Sequence, residues 1–112
     1  MALYNVEYVY LGTDERIDVG LLRNGEAEDL SGVTKVSLYL SSAVVLHSDV
    51  EEEGTFDWDT GEQGKIIMKL GLSETIPVGV YPQVKLRLYS AAKPNGEMWS
   101  LPFQIVVEQL PE

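Results

Sequence analysis

The chain has 112 residues, enough for one domain (residues 1–112) with its own core, since a chain of this length buries roughly two-thirds of its unfolded surface. A hydrophobic fraction of 45% and a charged fraction of 23% exclude wholesale disorder, and the lack of cysteine excludes disulfides, thiolate zinc sites and cysteine nucleophiles together. Eighteen acidic against eight basic residues give a net charge of −10, a field that opposes binding to nucleic acid phosphates or to an anionic membrane surface. Solubility, a basic protein partner, or mimicry of nucleic acid are the positive readings that remain.

Residues 3–11 are rich in Tyr and Val and suit a pleated surface. Alternation puts Tyr4, Tyr8 and Tyr10 on one strand face, so at least two are expected in the core with their hydroxyls at its rim. The same opening lacks the basic start and apolar core of a signal peptide, and no run approaches membrane-spanning length; the expectation is a soluble chain made inside the cell. A short apolar run from Ile17 to Arg23 meets Asn24-Gly25, the pair a tight hairpin prefers. Residues 33–40 then place Val36, Leu38 and Leu40 on one face and Lys35, Ser37 and Tyr39 on the other.

Ala43 to His47 and Phe56 to Asp59 are shorter candidates, the latter alternating Phe56 and Trp58 with Asp57 and Asp59. After the turn Thr60-Gly61-Glu62-Gln63-Gly64, the run 65–70 offers Ile66, Met68 and Leu70 inward. Ser73-Glu74-Thr75 can form one helical turn before Pro77-Val78-Gly79 breaks the chain ahead of Tyr81. Val84, Leu86 and Leu88 face inward against Lys85, Arg87 and Tyr89, and Pro94-Asn95-Gly96 supplies a second tight turn before a strand near Met98. Pro102 interrupts a final strand in which Phe103, Ile105 and Val107 face inward, and it marks a bulge or an edge. Many short strands, with turns every eight to twelve residues, indicate an all-β fold: an antiparallel β-sandwich of seven or eight short strands.

The stretch Asp49 to Glu62 holds seven carboxylates in fourteen residues, the natural place to look for a hard cation. A helix-loop-helix calcium spacing fails there. With Asp57 first and Asp59 third, Gly61 falls fifth and Met68 twelfth, where an oxygen ligand and a glutamate are needed. The favoured reading is a solvated loop whose like charges keep an edge from pairing. Glycosidase chemistry needs two carboxyl groups facing across a cleft, whereas Asp57 and Asp59 share one wet strand face. His47 has Ser37, Ser41, Ser42 and Ser48 nearby, none in a nucleophile-elbow context. No phosphate-cradling loop or dinucleotide fingerprint is present, so no enzyme, cofactor or metal is expected.

Among Tyr4, Tyr8, Tyr10, Tyr39, Tyr81, Tyr89, Trp58 and Trp99, only Tyr39 and Tyr89 fall on the polar faces of strongly alternating strands. They are the evidence for a sticky outer surface, and with Trp99 they form the interface candidates. Cross-strand packing on a solvated face is the plainer reading, worth a few tenths to ~1 kcal/mol per pair.

In order, the strand Ile17 to Leu22, the turn Arg23-Asn24-Gly25, and Asp29-Leu30-Ser31-Gly32 leading into Thr34 to Leu40 form the first part of a pattern. Asp57-Trp58-Asp59-Thr60-Gly61, Gly64-Lys65-Ile66, Pro77-Val78-Gly79-Val80-Tyr81, Pro94-Asn95-Gly96-Glu97 and the closing strand Phe103 to Val107 complete it. Residues 17 to 107 so read resemble the N-terminal domain of phage baseplate upper proteins and related small prophage virion domains. The resemblance implies an immunoglobulin-like sandwich that is non-enzymatic. It also implies a structural role in a virion, at the tail, baseplate, neck or capsid surface, made in the host cytoplasm. Its partners would be other virion proteins or further copies of itself as a homo-oligomer, with no nucleic acid or membrane bound. A carbohydrate or host-surface binding sandwich using Tyr39, Tyr89 or Trp99 is the alternative, and an acidic decoy for a nucleic-acid-binding protein is a third.

Overall fold

Period-two alternation, closely spaced turns and the scarcity of long polar runs leave the chain little choice but strands. The computed structural model describes residues 5–58, 63–73 and 75–110. It contains, in chain order, β1 (Asn5–Leu11), β2 (Ile17–Gly20), β3 (Leu22–Arg23), β4 (Glu26–Ala27), β5 (Val33–Tyr39) and β6 (Val45–His47). There follow β7 (Phe56–Asp57), β8 (Lys65–Met68), β9 (Gly79–Tyr81), β10 (Lys85–Ser90), β11 (Glu97–Ser100) and β12 (Phe103–Gln109). About half of the described residues are in strands, and among them the only helical element is a 3-10 turn, Leu70–Leu72. No helix there is long and apolar enough to cross a membrane.

The strands form small sheets ordered β1-β12-β9, β11-β10-β5-β6 and β2-β8-β7, with β3-β4 as a separate hairpin. The twelve segments exceed the expected seven or eight because β3, β4, β6, β7 and β9 are only two or three residues long. Pairing is antiparallel throughout except that β1 runs parallel to β12, with Val9 opposite Val107. The wholly antiparallel expectation is corrected at this one seam.

One hydrophobic cluster joins the three larger sheets. Val36, Leu38, Leu86 and Leu88 come from the first-named face of β5 and β10, Ile17, Val19, Ile66 and Met68 from β2 and β8, and Val9, Ile105 and Val107 from β1 and β12. The inward residues expected on β5, β8, β10 and β12 are all buried. On β1 the expectation is reversed: Val9 points into the core and Tyr8 is 52% exposed. The parallel register sets this, because it stacks Val9 beside buried Val107 and leaves Tyr8 beside Val106 on the other side. Tyr10 is half-buried, and Tyr4 lies outside the described residues.

Turn chemistry accounts for the connections. Asn24 and Gly25 both take positive φ (54° and 83°), and Leu22 pairs with Ala27 across them, the two-residue hairpin that an Asn-Gly pair favours. In the second turn only Gly96 is positive, and the chain closes through paired Ser90 and Lys93 backbone groups rather than a two-residue hairpin, although β10 ends at Ser90 and β11 starts at Glu97, within a residue of the expected bounds. The strand from Lys65 stops at Met68; buried Leu70 sits in the 3-10 turn, earlier than the helical turn expected at 73–75, of which Glu74 lies outside the described residues. A glycine is required in that turn. A Cβ on Gly71 would meet the Thr13 and Tyr10 carbonyl oxygens at 2.5 and 2.7 Å. Pro102 precedes β12 rather than interrupting it: β11 ends in one sheet, β12 begins in another, and Leu101 N–H is anchored on the Val84 carbonyl at 3.0 Å.

Candidate functional site

The outer side of β5 and β10 is built by alternation alone. With Val36, Leu38, Leu86 and Leu88 buried, Lys35, Ser37, Tyr39, Lys85, Arg87 and Tyr89 must face the other way. Antiparallel register then sets Lys85 opposite Tyr39, Arg87 opposite Ser37 and Tyr89 opposite Lys35. Each cation therefore lies opposite an uncharged residue, and the aromatic rings lie diagonally about Arg87.

Arg87 organises this face. Its Nη1 donates to the Tyr39 hydroxyl at 3.1 Å, its Nε donates to the Asn95 carbonyl at 2.8 Å, and its guanidinium lies 5.0 Å from the Tyr89 ring centre. The Lys35 ammonium sits 5.1 Å from the same ring. The hydrogen bond from Arg87 holds the Tyr39 phenol below its ordinary pKa, against the opposing effect of burial, and raises that of Arg87 in turn. Both tyrosines are thus held at fixed positions while remaining partly exposed. Met98, which β11 places opposite Arg87, adds a side chain 48% exposed. Beyond it a cleft of about 510 Å³ opens between Tyr39, Pro82, Lys85 and Met98.

Ser37 departs from the wet-face expectation: it is 0% exposed. His47 on β6 lies opposite it and covers it, with Nδ1 hydrogen-bonded to Ser37 Oγ at 2.7 Å. A hydroxyl with no exposed surface cannot meet a substrate, so this pair clamps β6 to β5. Two of the other serines near His47 serve the backbone. Ser48 Oγ accepts the Val36 N–H at 2.9 Å, Ser41 Oγ accepts the Ala43 and Val44 N–H groups at 3.2 Å, and Ser42 is exposed.

Trp99 belongs elsewhere. It lies opposite Leu86 on β10, hence on the core side of the sheet, and packs half-buried against the hydrophobic cluster. The Arg23 guanidinium covers its ring at 5.1 Å, and the indole N–H is buried with no hydrogen-bond partner. Arg23 is itself held by Glu28 at 2.7 Å and by Glu97, which also takes Lys93. These hydrogen bonds, from Lys93 first and Arg23 second, keep the Glu97 carboxyl below its ordinary pKa. The cleft of about 310 Å³ at this corner is lined by Arg23, Lys93, Glu28 and Glu97, which pair with one another, and by Asp29, which accepts the Ser31 N–H. The structure therefore brings Tyr39 and Tyr89 together and leaves Trp99 on the opposite side. Sequence alternation on β5 and β10 found the first two; Lys35, Arg87 and Met98 were missed as functional, although the same alternation put the two cations on that face.

The acidic stretch is described in part, with Asp59, Thr60, Gly61 and Glu62 outside the described residues. Val50 and Glu51 N–H groups both bond the His47 carbonyl at 3.0 Å, forming a turn directly after β6. Ser73 Oγ donates to the Glu51 carboxylate, and Asp49 lies 3.7 Å from Lys35. Among the described residues no group of three or more carboxylates or histidines is arranged to hold a metal ion. No known family model matches this chain, and no curated protein matches it.

Proposed function

We propose that this chain is a non-enzymatic structural or assembly module of a phage or prophage virion, folded as an immunoglobulin-like β-sandwich and acting through protein–protein contacts. The observation that carries the contact reading is the face of β5 and β10, where Tyr39 and Tyr89 are held partly exposed by one arginine beside exposed Met98. Tyrosine, arginine and methionine are the residue types enriched at interface centres, and side chains already held in place lose little freedom on docking. The sandwich is supported by three sheets sharing one hydrophobic cluster and by the chain changing sheets at Pro102. The virion reading is supported by the resemblance of residues 17 to 107. Particle location and homo-oligomeric assembly follow from that reading, since symmetry multiplies modest contacts.

Tyr39→Glu tests the contact face. Sizing chromatography of the wild-type protein should show an oligomer, and the variant should run smaller with an unchanged circular dichroism spectrum. A wild-type monomer that binds a glycan array through Tyr39 would instead support a host-surface binding module. Tail or capsid genes flanking this one would support the virion assignment, and metabolic neighbours would oppose it.

A further inference from the structure

We propose, resting on the contact face just described, that this face receives the acidic turn Asp49–Glu53 of a second copy of the chain, joining copies head to tail. Charge complementarity selects the occupant. Three of the eight basic residues of a chain with net charge −10, Lys35, Lys85 and Arg87, share this one face, and of these Lys35 is already paired with the chain's own Asp49. Lys85 is exposed and has no carboxylate partner among the described residues. The turn carries the opposite pattern. Glu52 and Glu53 are exposed, and between Asp49 and Glu51 stands Val50, 73% exposed.

The turn is also held ready. Two backbone bonds to the His47 carbonyl and the Ser73 hydroxyl on Glu51 fix it, so an exposed aliphatic side chain projects from a defined base flanked by carboxylates. The cleft beside Lys85, lined by Tyr39, Pro82 and Met98, offers an apolar seat for that side chain. Within one molecule the turn reaches Lys35 but not the cleft beside Lys85. Asp49 adjoins Lys35 at one end of β5, whereas Lys85 pairs with Tyr39 at the other end, roughly 13 Å away along the strand. A contact between two different surfaces of identical chains is heterologous, and it closes into a ring or continues as a filament.

Sedimentation velocity over a concentration series tests this with five proteins: wild type, Lys85→Glu, Glu52→Lys with Glu53→Lys, all three of these changes combined, and Tyr39→Glu. The two charge-altered surfaces should each weaken association about tenfold or more, which is 1.4 kcal/mol at 25 °C. The combined variant should recover much of it, with melting temperatures similar throughout. If the turn variant associates as the wild type does while Tyr39→Glu abolishes association, the turn is not the occupant and the contact face stands. If neither variant alters association, both readings fall. A wild-type protein that stays monomeric across the series overturns this inference and leaves the face to a different partner.

Discussion

The two sides of β5 and β10 are made from the same thirteen residues and do opposite things. On one side Val36, Leu38, Leu86 and Leu88 interlock with residues from two other sheets. On the other, Lys35, Tyr39, Arg87 and Tyr89 hold one another by hydrogen bonding and cation–ring contacts near water. The inner side draws on area removed from water, a large and non-directional effect. The outer side draws on small directional contacts, which add little stability but fix where the rings stand. Stability and association should therefore separate when each side is altered alone.

The largest expected effect is on the inner side. Leu38 is 0% exposed, and Leu38→Ala should lower unfolding stability by ~2–5 kcal/mol in a denaturant titration, because a packed core closes only partly over the cavity. A change near zero would place the wrong side in the core. Ser37→Ala comes next and tests the one outer residue that is buried. It leaves a half-buried His47 nitrogen without its partner, a loss of about 1–3 kcal/mol by the same measurement. No loss would mean that water replaces the hydroxyl and the outer side is wet throughout.

The smallest effect belongs to the charged corner under Trp99. Glu97 has a folded pKa below its ordinary 4.5, so its stabilisation is present above that value and is lost as pH falls through the depressed one. Glu97→Gln should flatten the acid limb of melting temperature against pH below about 4.5, leaving the neutral region nearly unchanged. An acid limb identical to wild type would show that Lys93 and Arg23 do not hold this carboxylate in solution.

Legibility in the sequence followed the strength of alternation. β12 carries three apolar residues at period two, and β5, β8 and β10 each carry two with a third, Leu40, Leu70 or Val84, one or two residues beyond the strand, so their faces could be read from sequence alone. β1 carries Val6, Tyr8 and Tyr10 on one side and Val9 and Leu11, after Asn5 and Glu7, on the other, so over its second half both sides are apolar or aromatic and composition there cannot choose between them. The parallel partner β12 makes that choice, and a parallel contact between the two ends of a chain leaves no local signal. The hairpin at Asn24-Gly25 was readable because the positive φ angles are local. Burial of Ser37 was not, because its cover comes from His47 on a different strand. Within the candidate face, Tyr39 and Tyr89 were legible as aromatic residues out of phase with their cores. The role of Arg87 depends on a diagonal contact that only the register reveals.

The most direct test combines both sides in one sample. Tyr39→Glu with Tyr89→Glu should sediment as a monomer under conditions where the wild type associates, while melting within a few degrees of it. Undiminished association in the double variant would contradict the account and shift attention to the row Tyr8, Val106 and Val80, which faces outward on the β1-β12-β9 sheet.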